Sequence, residues 1–218
     1  MRWADHASLA ELAGRLKERL ARPLPGTDGQ LRLSPRPRRG WQPGRIPPGC
    51  RDAAALLLVF DRGLAPHTVL TLRHRDLPQH GGQVSLPGGV VEPGETLQAA
   101  ALRETEEEIG IGRQTIQILG ALTPLHIPVS RFVLHPFVGV AAGSPVFAAS
   151  DGEVERVIEV PLARLVDPAL HGEESRERDG TVYEVPFIAV DGEKVWGATA
   201  MVLAEWITVL ESLRPSPG

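Results

Sequence analysis

Hydrophobic residues recur every three or four positions near both ends of the chain. Between residues 7 and 21 this spacing marks one face of an α-helix, and Ser8 stands where an N-cap would accept a backbone N–H. The apolar positions of that face are Leu9, Leu12, Ala13, Leu16 and Leu20. A last helix is predicted from about Thr199 to Leu213, ended by the sequence RPSPG.

The middle of the chain carries apolar segments of strand length. AAALLLVF, residues 53–60, is a continuous apolar run, which indicates a strand that is buried on both faces. HTVLTLRHR, residues 67–75, follows it closely and is predicted to be its hairpin partner or neighbour. Further strands are predicted at residues 114–122, 132–141, 154–160 and 182–190.

Residues 96–110 are predicted to form a central helix. Thr96 suits the N-cap and Gly110 the stop, because glycine readily adopts the left-handed conformation that ends many helices. The segment 76–89 before this helix is rich in glycine and is predicted to be a loop. Together the elements predict a mixed sheet with helices in one α/β or α+β domain.

The composition of the chain changes between residues 22 and 49. Seven prolines fall in this stretch, which predicts a loop or an extended arm after the first helix. The stretch also contains Arg36, Arg38, Arg39 and Arg45. Two interpretations stay open: these arginines could steer an anionic ligand, or the stretch is a solvated linker across the surface. We therefore divide the chain into residues 1–49, the helix and arm, and residues 50–213, the main domain.

Length, composition and charge argue against several classes of protein. With 218 residues, 42% of them hydrophobic and 23% charged, the chain resembles one globular domain with a sizeable core. A formal net charge of −4 gives no overall basic surface, so a dedicated nucleic-acid-binding protein is not favoured. The single cysteine, Cys50, forms neither an internal disulfide nor a cysteine zinc site, and a reducing compartment suits it.

The chain is predicted to be cytoplasmic and not to enter a membrane. Charged residues such as Asp5, Glu11 and Lys17 interrupt the N-terminal segment, which is therefore too polar for the core of a signal peptide. The longest apolar run, residues 53–60, is far shorter than the roughly 20 residues that a membrane-spanning helix needs.

Four glutamates fall within the five residues ETEEE of the central helix, residues 104–108. At about 100° per residue, Glu104, Glu107 and Glu108 share one face of the helix, and Glu106 points nearly opposite. Three carboxylates on one face offer the hard oxygen ligands that Mg²⁺ and Mn²⁺ prefer. A bound dication would turn their repulsion into attraction, whereas the alternative interpretation is a solvated acidic face.

The remaining positions of this helix are mostly apolar or small. Leu102, Thr105 and Ile109 form a stripe that can face the sheet. Ala100 and Ala101 are expected to lie on the acidic face, one turn earlier, and to leave space there for a ligand.

Two glycines, Gly88 and Gly89, precede the helix in the sequence LPGG. Glycine lets the backbone approach a ligand closely, so a carbonyl oxygen there could join a metal shell and N–H groups could meet phosphate. Glu95 and Arg103 lie at the entry to the helix and within it, and they could pair to hold loop and helix in register.

Together these residues resemble the signature of the Nudix hydrolase family, whose spacing is very specific. The matching positions are Gly89, Glu95, Arg103, Glu104, Glu107, Glu108, Gly110 and Ile111, with Thr105 where an aliphatic residue is more usual. The resemblance implies a mixed β-sheet sandwiched between helices over about residues 50–213. It also implies Mg²⁺- or Mn²⁺-dependent hydrolysis of a nucleoside diphosphate that is linked to another group.

The resemblance further implies roles for single residues. The implied metal ligands are the carboxylates of Glu104, Glu107 and Glu108 and the carbonyl of Gly89. Glu95 and Arg103 would brace the loop against the helix. The general base would be Glu104 or, as in members that use a later loop, Glu153 or Glu155 at the edge of a predicted strand. Exposed strand-edge carboxylates are the alternative interpretation of those last two residues.

A narrower resemblance, to the coenzyme A pyrophosphatase subgroup, lies in residues 70–89, LTLRHRDLPQHGGQVSLPGG. The matching positions are Thr71, Arg73, Gly82, Pro87, Gly88 and Gly89, and the departures are His74, Pro78 and Leu86. The match implies that Arg73, Gly82, Gly88 and Gly89 contact the substrate.

The substrate that this narrower resemblance implies is coenzyme A or acyl-CoA, cut to 4′-phosphopantetheine and 3′,5′-ADP. The partner is then a small-molecule nucleotide, and the family suggests a homodimer. Because of the departures, two alternatives stay open. One is a Nudix hydrolase for another nucleotide, such as ADP-ribose or a nucleoside triphosphate, and the other is a non-catalytic nucleotide-binding regulator.

Overall fold

A computed structural model describes residues 8–38, 40–42, 44–63 and 65–213. The predicted stop sequence RPSPG, at residues 214–218, lies outside the described residues, as does Arg39 of the arm. The described helices are α1 (Leu9–Leu20), α2 (Gly26–Leu31), α3 (Leu97–Ile109), α4 (Leu162–Leu165) and α5 (Gly197–Ser212). Among these helices, none combines the length and the apolar character needed to cross a membrane.

Strands make up most of the rest of the domain. They are β1 (Arg51–Arg62), β2 (Ala65–Arg73), β3 (Val84–Ser85), β4 (Gly88–Val90), β5 (Ile116–Ala121), β6 (Leu125–Ile127), β7 (Phe132–Ala141), β8 (Val154–Pro161), β9 (His171–Arg178), β10 (Thr181–Val190) and β11 (Glu193–Trp196). The larger sheet has eight strands, with the order β3-β2-β1-β7-β5, and β4, β6 and β8 pair with β1, β7 and β2. Because β1 runs parallel to β7 and antiparallel to β2, the sheet is mixed.

Strand β1 is the centre of the sheet and is buried on both faces. Leu56, Leu58 and Phe60 pack with Ile109 of α3 on one face. The alternate residues of β1, beginning with Ala55, pack in the larger cluster that holds α1 and α5 on the opposite face. Helices therefore cover both sides of a mixed sheet, as predicted. The central residues of β1 are apolar on both faces, so each face is stabilised by a helix that shields it from water.

The caps of the two predicted N-terminal and central helices are confirmed. Ser8 accepts a hydrogen bond from the backbone N–H of Glu11 at the start of α1. Thr96 accepts one from Ala99 at 3.1 Å at the start of α3. Gly110 ends α3 with a φ of 74°, a left-handed conformation in which glycine carries no steric penalty.

Several short or polar strands were not predicted from the sequence. Strands β3, β4, β6 and β11 have four residues or fewer, which is too short for a period of two to be read. Strand β9, HGEESRER, is long enough, but it is an edge strand of the separate β11-β10-β9 sheet and carries charges on both faces. Its charges conceal the alternation that marks a half-buried strand.

The interpretation of residues 22–49 as a solvated linker is wrong for their first half. Residues 26–31 form α2, and Leu33 packs in the same core cluster as α1 and α5. The backbone of Arg36 then exchanges two hydrogen bonds with Glu184 of β10, at 2.9 and 2.8 Å. Prolines therefore interrupt this stretch without detaching it from the domain, because apolar residues between them still bury their side chains.

A fully buried carboxylate, Glu205 of α5, ties this stretch to the domain. It accepts hydrogen bonds from the backbone N–H of Gly26 at 3.0 Å, from Gln30 Nε2 at 3.1 Å and from Thr123 Oγ1 at 2.7 Å. Burial raises the pKa of Glu205, and these donors oppose that rise. Donors at the start of α2 and at Thr123, just after β5, therefore hold the carboxylate of Glu205 in the core.

Replacing Glu205 with alanine is expected to lower the free energy of unfolding by about 3 kcal/mol, because buried or half-buried donors from three residues lose their acceptor. Thermal unfolding followed by circular dichroism measures the loss. Glu211→Ala is the control: it removes a carboxylate from the same helix, in an exposed pair with Arg32 that is worth at most about 1 kcal/mol. Equal shifts in Tm for both variants would contradict a structural role for the buried network.

Candidate functional site

The helix α3 and the glycine strand β4 meet at the start of β1. Gly89 is paired with Ala54 of β1, and Ala54 packs against Ala100 and Ala101 of α3. The expectation that these two alanines leave space on the acidic face is wrong, since both are fully buried. Their small side chains instead let α3 lie close to the strand, which brings its acidic face to β4.

Both glycines of LPGG lie so close to neighbouring atoms that no larger residue fits in their place. A Cβ atom on Gly88 would lie 2.4 Å from the carbonyl oxygen of Ala54, and one on Gly89 would lie 2.4 Å from the carboxylate of Glu104. The backbone of Gly89 is therefore in direct contact with the first glutamate of the acidic face. Strand β4 and the acidic face of α3 therefore meet at Gly89 and Glu104.

A cleft of about 450 Å³ opens at this point. Its lining residues are Arg73, Gly88, Gly89, Val90, Val91, Glu92, Pro93, Glu104, Glu108 and Glu153. They come from three separate parts of the chain: the end of β2, the segment from β4 towards α3 together with α3 itself, and the residue before β8. The four residues after Gly89 were not predicted to line a site. Their position inside the Nudix-like signature, between Gly89 and Glu95, is the signal that could have identified them.

Glu108 is the most buried carboxylate of the cleft, with a side chain only 2% exposed. It accepts a hydrogen bond from the backbone N–H of Gly88 at 3.3 Å, and Nη1 of Arg73 lies 3.5 Å from it. Burial raises the pKa of Glu108 to about 7, although both of these partners act in the opposite direction. Burial also raises the pKa of Glu104, against the lowering effect of Arg103. The negative charge of Glu153 adds to both shifts.

Arg103 connects the loop to the helix. Its Nε and Nη2 atoms donate to the two carboxylate oxygens of Glu95, at 3.0 and 3.1 Å, and Nη2 also donates to the carbonyl of Val90. The predicted pairing of Glu95 with Arg103 is thus confirmed, and this hydrogen bond lowers the pKa of Glu95. The remaining nitrogen, Nη1, donates to Glu104 at 2.9 Å and to Glu107 at 3.0 Å.

The oxygen donors of the cleft suit a hard cation. Within the described part of the chain, no three acidic, histidine or cysteine side chains are already arranged to hold a metal ion. The carboxylates of Glu104 and Glu107 are instead paired with Nη1 of Arg103. Glu104, Glu108, Glu153 and the backbone of Gly89 nevertheless line one cleft, and all of them offer oxygen. This chemistry fits Mg²⁺ or Mn²⁺ rather than a softer metal.

Glu107, Glu155 and Gly82 are predicted site residues that do not line this cleft. The side chain of Glu107 is 57% exposed and contacts Arg103. Glu155 lies 3.7 Å from Arg75, and it does not line the cleft as Glu153 does. Gly82, with a φ of 70°, shapes the loop between β2 and β3 through a hydrogen bond from its N–H to the carbonyl of Arg73.

Glu106 points away from the cleft, as its helical phase predicts. Its carboxylate accepts a hydrogen bond from Arg113 Nε at 2.7 Å, and this bond lowers the pKa of Glu106. The cluster of four glutamates is therefore divided between the two sides of α3, and only Glu104 and Glu108 face the cleft.

Metal-free protein is expected to lose stability as the pH rises, because the pKa of Glu108 is higher in the folded state than its ordinary value of 4.5. The contribution of this group is fully present below pH 4.5 and is lost as the pH passes through about 7. The size of this contribution to the free energy of unfolding is about 3 kcal/mol. Thermal unfolding in a chelator between pH 4 and 8 measures it, and Glu108→Gln should flatten the dependence. Parallel curves for the two proteins would contradict the shift.

Comparison with known proteins agrees with this geometry. The model of the NUDIX domain matches residues 51–179. The uncharacterized Nudix hydrolase NudL of Photorhabdus laumondii subsp. laumondii is 33% identical over 175 residues, which cover 80% of this chain and 89% of that protein. NudL of Salmonella paratyphi B is 36% identical over 156 residues, or 71% of this chain and 80% of that one.

A solved structure shows the same fold at lower identity. The Nudix hydrolase RenU from M. smegmatis superposes with a TM-score of 0.52 and 18% identity, covering 77% of this chain and 90% of that one. The family match also contains every residue that lines the cleft, from Arg73 to Glu153. The predicted fold and enzyme class are thereby confirmed: this chain belongs to the Nudix family and is a hydrolase of pyrophosphate bonds in nucleotide derivatives.

Proposed function

We propose that this enzyme hydrolyses the pyrophosphate bond of coenzyme A or an acyl-CoA, with Mg²⁺ or Mn²⁺, to give 4′-phosphopantetheine or its acyl form and 3′,5′-ADP. One observation carries the proposal. Arg73, from the segment that resembles the coenzyme A pyrophosphatases, lines the same cleft as the acidic face of α3 and lies 3.5 Å from Glu108. The subgroup motif and the Nudix signature therefore supply one site.

The proposed metal ligands are Glu104, Glu108 and the carbonyl of Gly89, joined by Glu107 once its carboxylate leaves Arg103. Arg103 would keep its other contacts, to Glu95 and the carbonyl of Val90, and so continue to brace the loop. When bound, the metal neutralises charge on the pyrophosphate and makes a coordinated water easier to deprotonate.

The side chains around the metal would position and activate the reactants. Arg73 would bind a phosphate oxygen through the planar donors of its guanidinium group. A carboxylate would take a proton from the attacking water, and the water oxygen would bond to one phosphorus. The P–O bond to the bridging oxygen would break in the same step, and that oxygen would leave with the second phosphate. Glu104 and Glu153 are the candidates for this base, because both line the cleft. Glu155 is less well placed, since it lies beside Arg75.

A second candidate function is hydrolysis of another nucleotide, such as ADP-ribose or a nucleoside triphosphate. The observation that favours it is Pro78, which stands where the coenzyme A pyrophosphatase motif has an arginine. A purely regulatory nucleotide-binding role is less favoured. A binding protein has no need of all the carboxylates of the signature, yet Glu104, Glu107 and Glu108 are all present.

A substrate panel tests the proposal. The full chain is incubated with coenzyme A, acetyl-CoA, ADP-ribose and each deoxynucleoside triphosphate, with Mg²⁺ or Mn²⁺, and products are identified by mass. We expect 4′-phosphopantetheine and 3′,5′-ADP from coenzyme A, at a higher kcat/KM than for the other compounds. Turnover of another compound with coenzyme A left intact would refute the substrate, and no turnover with any metal would refute catalysis.

A further inference from the structure

Four arginines near the start of β1 have no carboxylate partner among the described residues. They are Arg38 and Arg45 in the arm, Arg51 as the first residue of β1, and Arg131 in the loop before β7. The neighbouring Arg36, by contrast, is paired with Glu173. The chain as a whole has a net charge of −4, so a local group of unpaired guanidinium groups is a feature that an anion would recognise.

Three contacts place Arg51 beside Arg131 and place the part of the arm that carries Arg45 against the same loop. The N–H of Arg51 donates to the carbonyl of Arg131 at 2.9 Å. Gly49 lies beside the guanidinium of Arg131, since a Cβ there would be 3.2 Å from Nη2. A Cβ on Gly40 would likewise lie 3.7 Å from Cβ of Pro128. The second half of the arm is therefore folded against the loop between β6 and β7. We call Arg38, Arg45, Arg51, Arg131 and the intervening Trp41 the arginine patch.

Arg38 is the half-buried member of this patch. It donates to Ser34 Oγ at 3.2 Å and to the carbonyl of His126 at 3.0 Å, and its guanidinium carbon lies 4.6 Å from the centre of the Trp41 ring. Its Nε is buried and has no hydrogen-bond partner among the described residues. Burial lowers the pKa of Arg38 to about 10. The hydrogen-bond partners of Arg38 in the described part of the chain are all uncharged, an arrangement that a nearby anion would stabilise.

A pocket of about 200 Å³ adjoins Arg38 and is lined by Gly40, Trp41, Gln42, Arg45 and Pro47. Its walls combine an indole ring, on which a planar ring can stack, with the exposed Arg45, whose guanidinium donates to the side-chain amide oxygen of Gln42. Guanidinium groups bind phosphate oxygens through two parallel N–H donors. An aromatic ring and unpaired arginines together fit a nucleotide better than a simple carboxylate.

The patch borders the cleft along β1. Ala53 is paired with Val90, which lines the cleft, and Arg51 precedes Ala53 by two residues, or about 7 Å along a strand. The N–H of Val91, another residue of the cleft, donates to the carbonyl of Asp52 between them. A ligand with its pyrophosphate in the cleft therefore has the patch within reach of its far end.

We propose that the arginine patch binds the phosphorylated nucleoside part of a nucleotide, with the base on Trp41 and a phosphate on Arg45 and Arg131. The identity of this nucleotide rests on the proposed function. It would be the adenosine end of coenzyme A, which carries both an aromatic base and an additional phosphate. The same chemistry could come from a separate nucleotide bound beside the substrate, and the experiment distinguishes the two sources.

Binding of 3′,5′-ADP to the full chain, measured by isothermal titration calorimetry without metal, tests the patch directly. Arg45→Ala and Trp41→Ala are expected to raise the Kd by about tenfold or more, because each removes a contact to the charged or stacked group. Arg178→Ala is the matched control, an exposed arginine of β9 that only faces its neighbour Asp179 at 3.6 Å. Circular dichroism confirms folding. A Kd that is equal in all four proteins, or no binding by the unaltered chain at millimolar concentration, would overturn the proposal.

Steady-state kinetics then identify the source of the nucleotide. If the patch binds the adenosine end of the substrate, Arg45→Ala raises KM for coenzyme A about tenfold with kcat unchanged. KM for dephospho-coenzyme A stays the same, because that compound lacks the additional phosphate. If it is a separate nucleotide, the Kd for 3′,5′-ADP rises while both KM values stay constant. Failure to cleave coenzyme A would refute the proposed function alone, because the calorimetric measurement needs no turnover.

Discussion

Replacing Glu104 with glutamine is expected to lower kcat by roughly 10³-fold, the range seen when an acid–base or charge-stabilising group is lost. Glu104 lines the cleft and its carboxylate touches the backbone of Gly89. Glutamine keeps the shape of the side chain but removes both the negative charge that would hold a metal and the ability to take a proton. Initial rates at saturating substrate and metal measure the effect, and circular dichroism checks that the fold is kept.

Two neighbours on the same helix make this test specific. Glu106→Gln removes the same charge from the opposite side of α3, where the carboxylate is bound to Arg113, and should change kcat by less than about twofold. Glu107→Gln is expected to behave like Glu104→Gln if the carboxylate turns from Arg103 to the metal. A near wild-type rate for Glu104→Gln, or an equal loss for Glu106→Gln, would contradict the proposed site. A near wild-type rate for Glu107→Gln would remove that residue from the metal ligands.

Replacing Gly88 with alanine is expected to destabilise the protein by about 3 kcal/mol or more, and so to lower Tm by roughly 6–12 °C. The added Cβ would meet backbone atoms of β1, at 2.4 Å from the carbonyl oxygen of Ala54 and 2.6 Å from Cα of Ala55. A backbone cannot move aside as a flexible side chain does, so β4 must separate from β1. Activity should fall as well, because β4 also carries Gly89.

Gly14→Ala is the matched control for this substitution. Gly14 lies within α1, and a Cβ there would meet no atom within 4 Å. Alanine favours a helix over glycine by about 1 kcal/mol, so this variant should be slightly more stable than the unaltered chain. Differential scanning calorimetry shows whether each variant has a higher or a lower Tm than the unaltered chain. A similar Tm for Gly88→Ala and the unaltered chain would show that β4 does not depend on close contact with β1.

Local signals predicted the bounds of the central helix and the directions of its glutamates well. Helical phase separated Glu104 and Glu108 from Glu106, and Thr96 and Gly110 cap the helix as expected. Such features depend on residues within one or two turns of each other. The long apolar strands were predicted for the same reason, because burial on both faces leaves a continuous run in the sequence.

Contacts between distant segments could not be predicted in this way. Ala100 and Ala101 were expected to face a ligand, but they pack on Ala54, since helical phase gives relative directions and does not say which direction meets the sheet. The first half of the arm was taken for a possible linker because its prolines obscure the periodicity. It is anchored by Glu205, whose partners Gly26 and Thr123 lie far away in the sequence.

The order of the residues alone fixes the Nudix signature on a capped helix, the two glycines before it and the strand that is buried on both faces. The folded chain then selects which of the signature's neighbours form the site. It brought Arg73 and Glu153 to Glu108, and it set Glu107 against Arg103. It also placed Arg51 beside Arg131, two arginines that have no carboxylate partner in the described part of the chain. The physical reason is that strand pairing and side-chain burial join residues of distant segments, and no local period encodes those pairings.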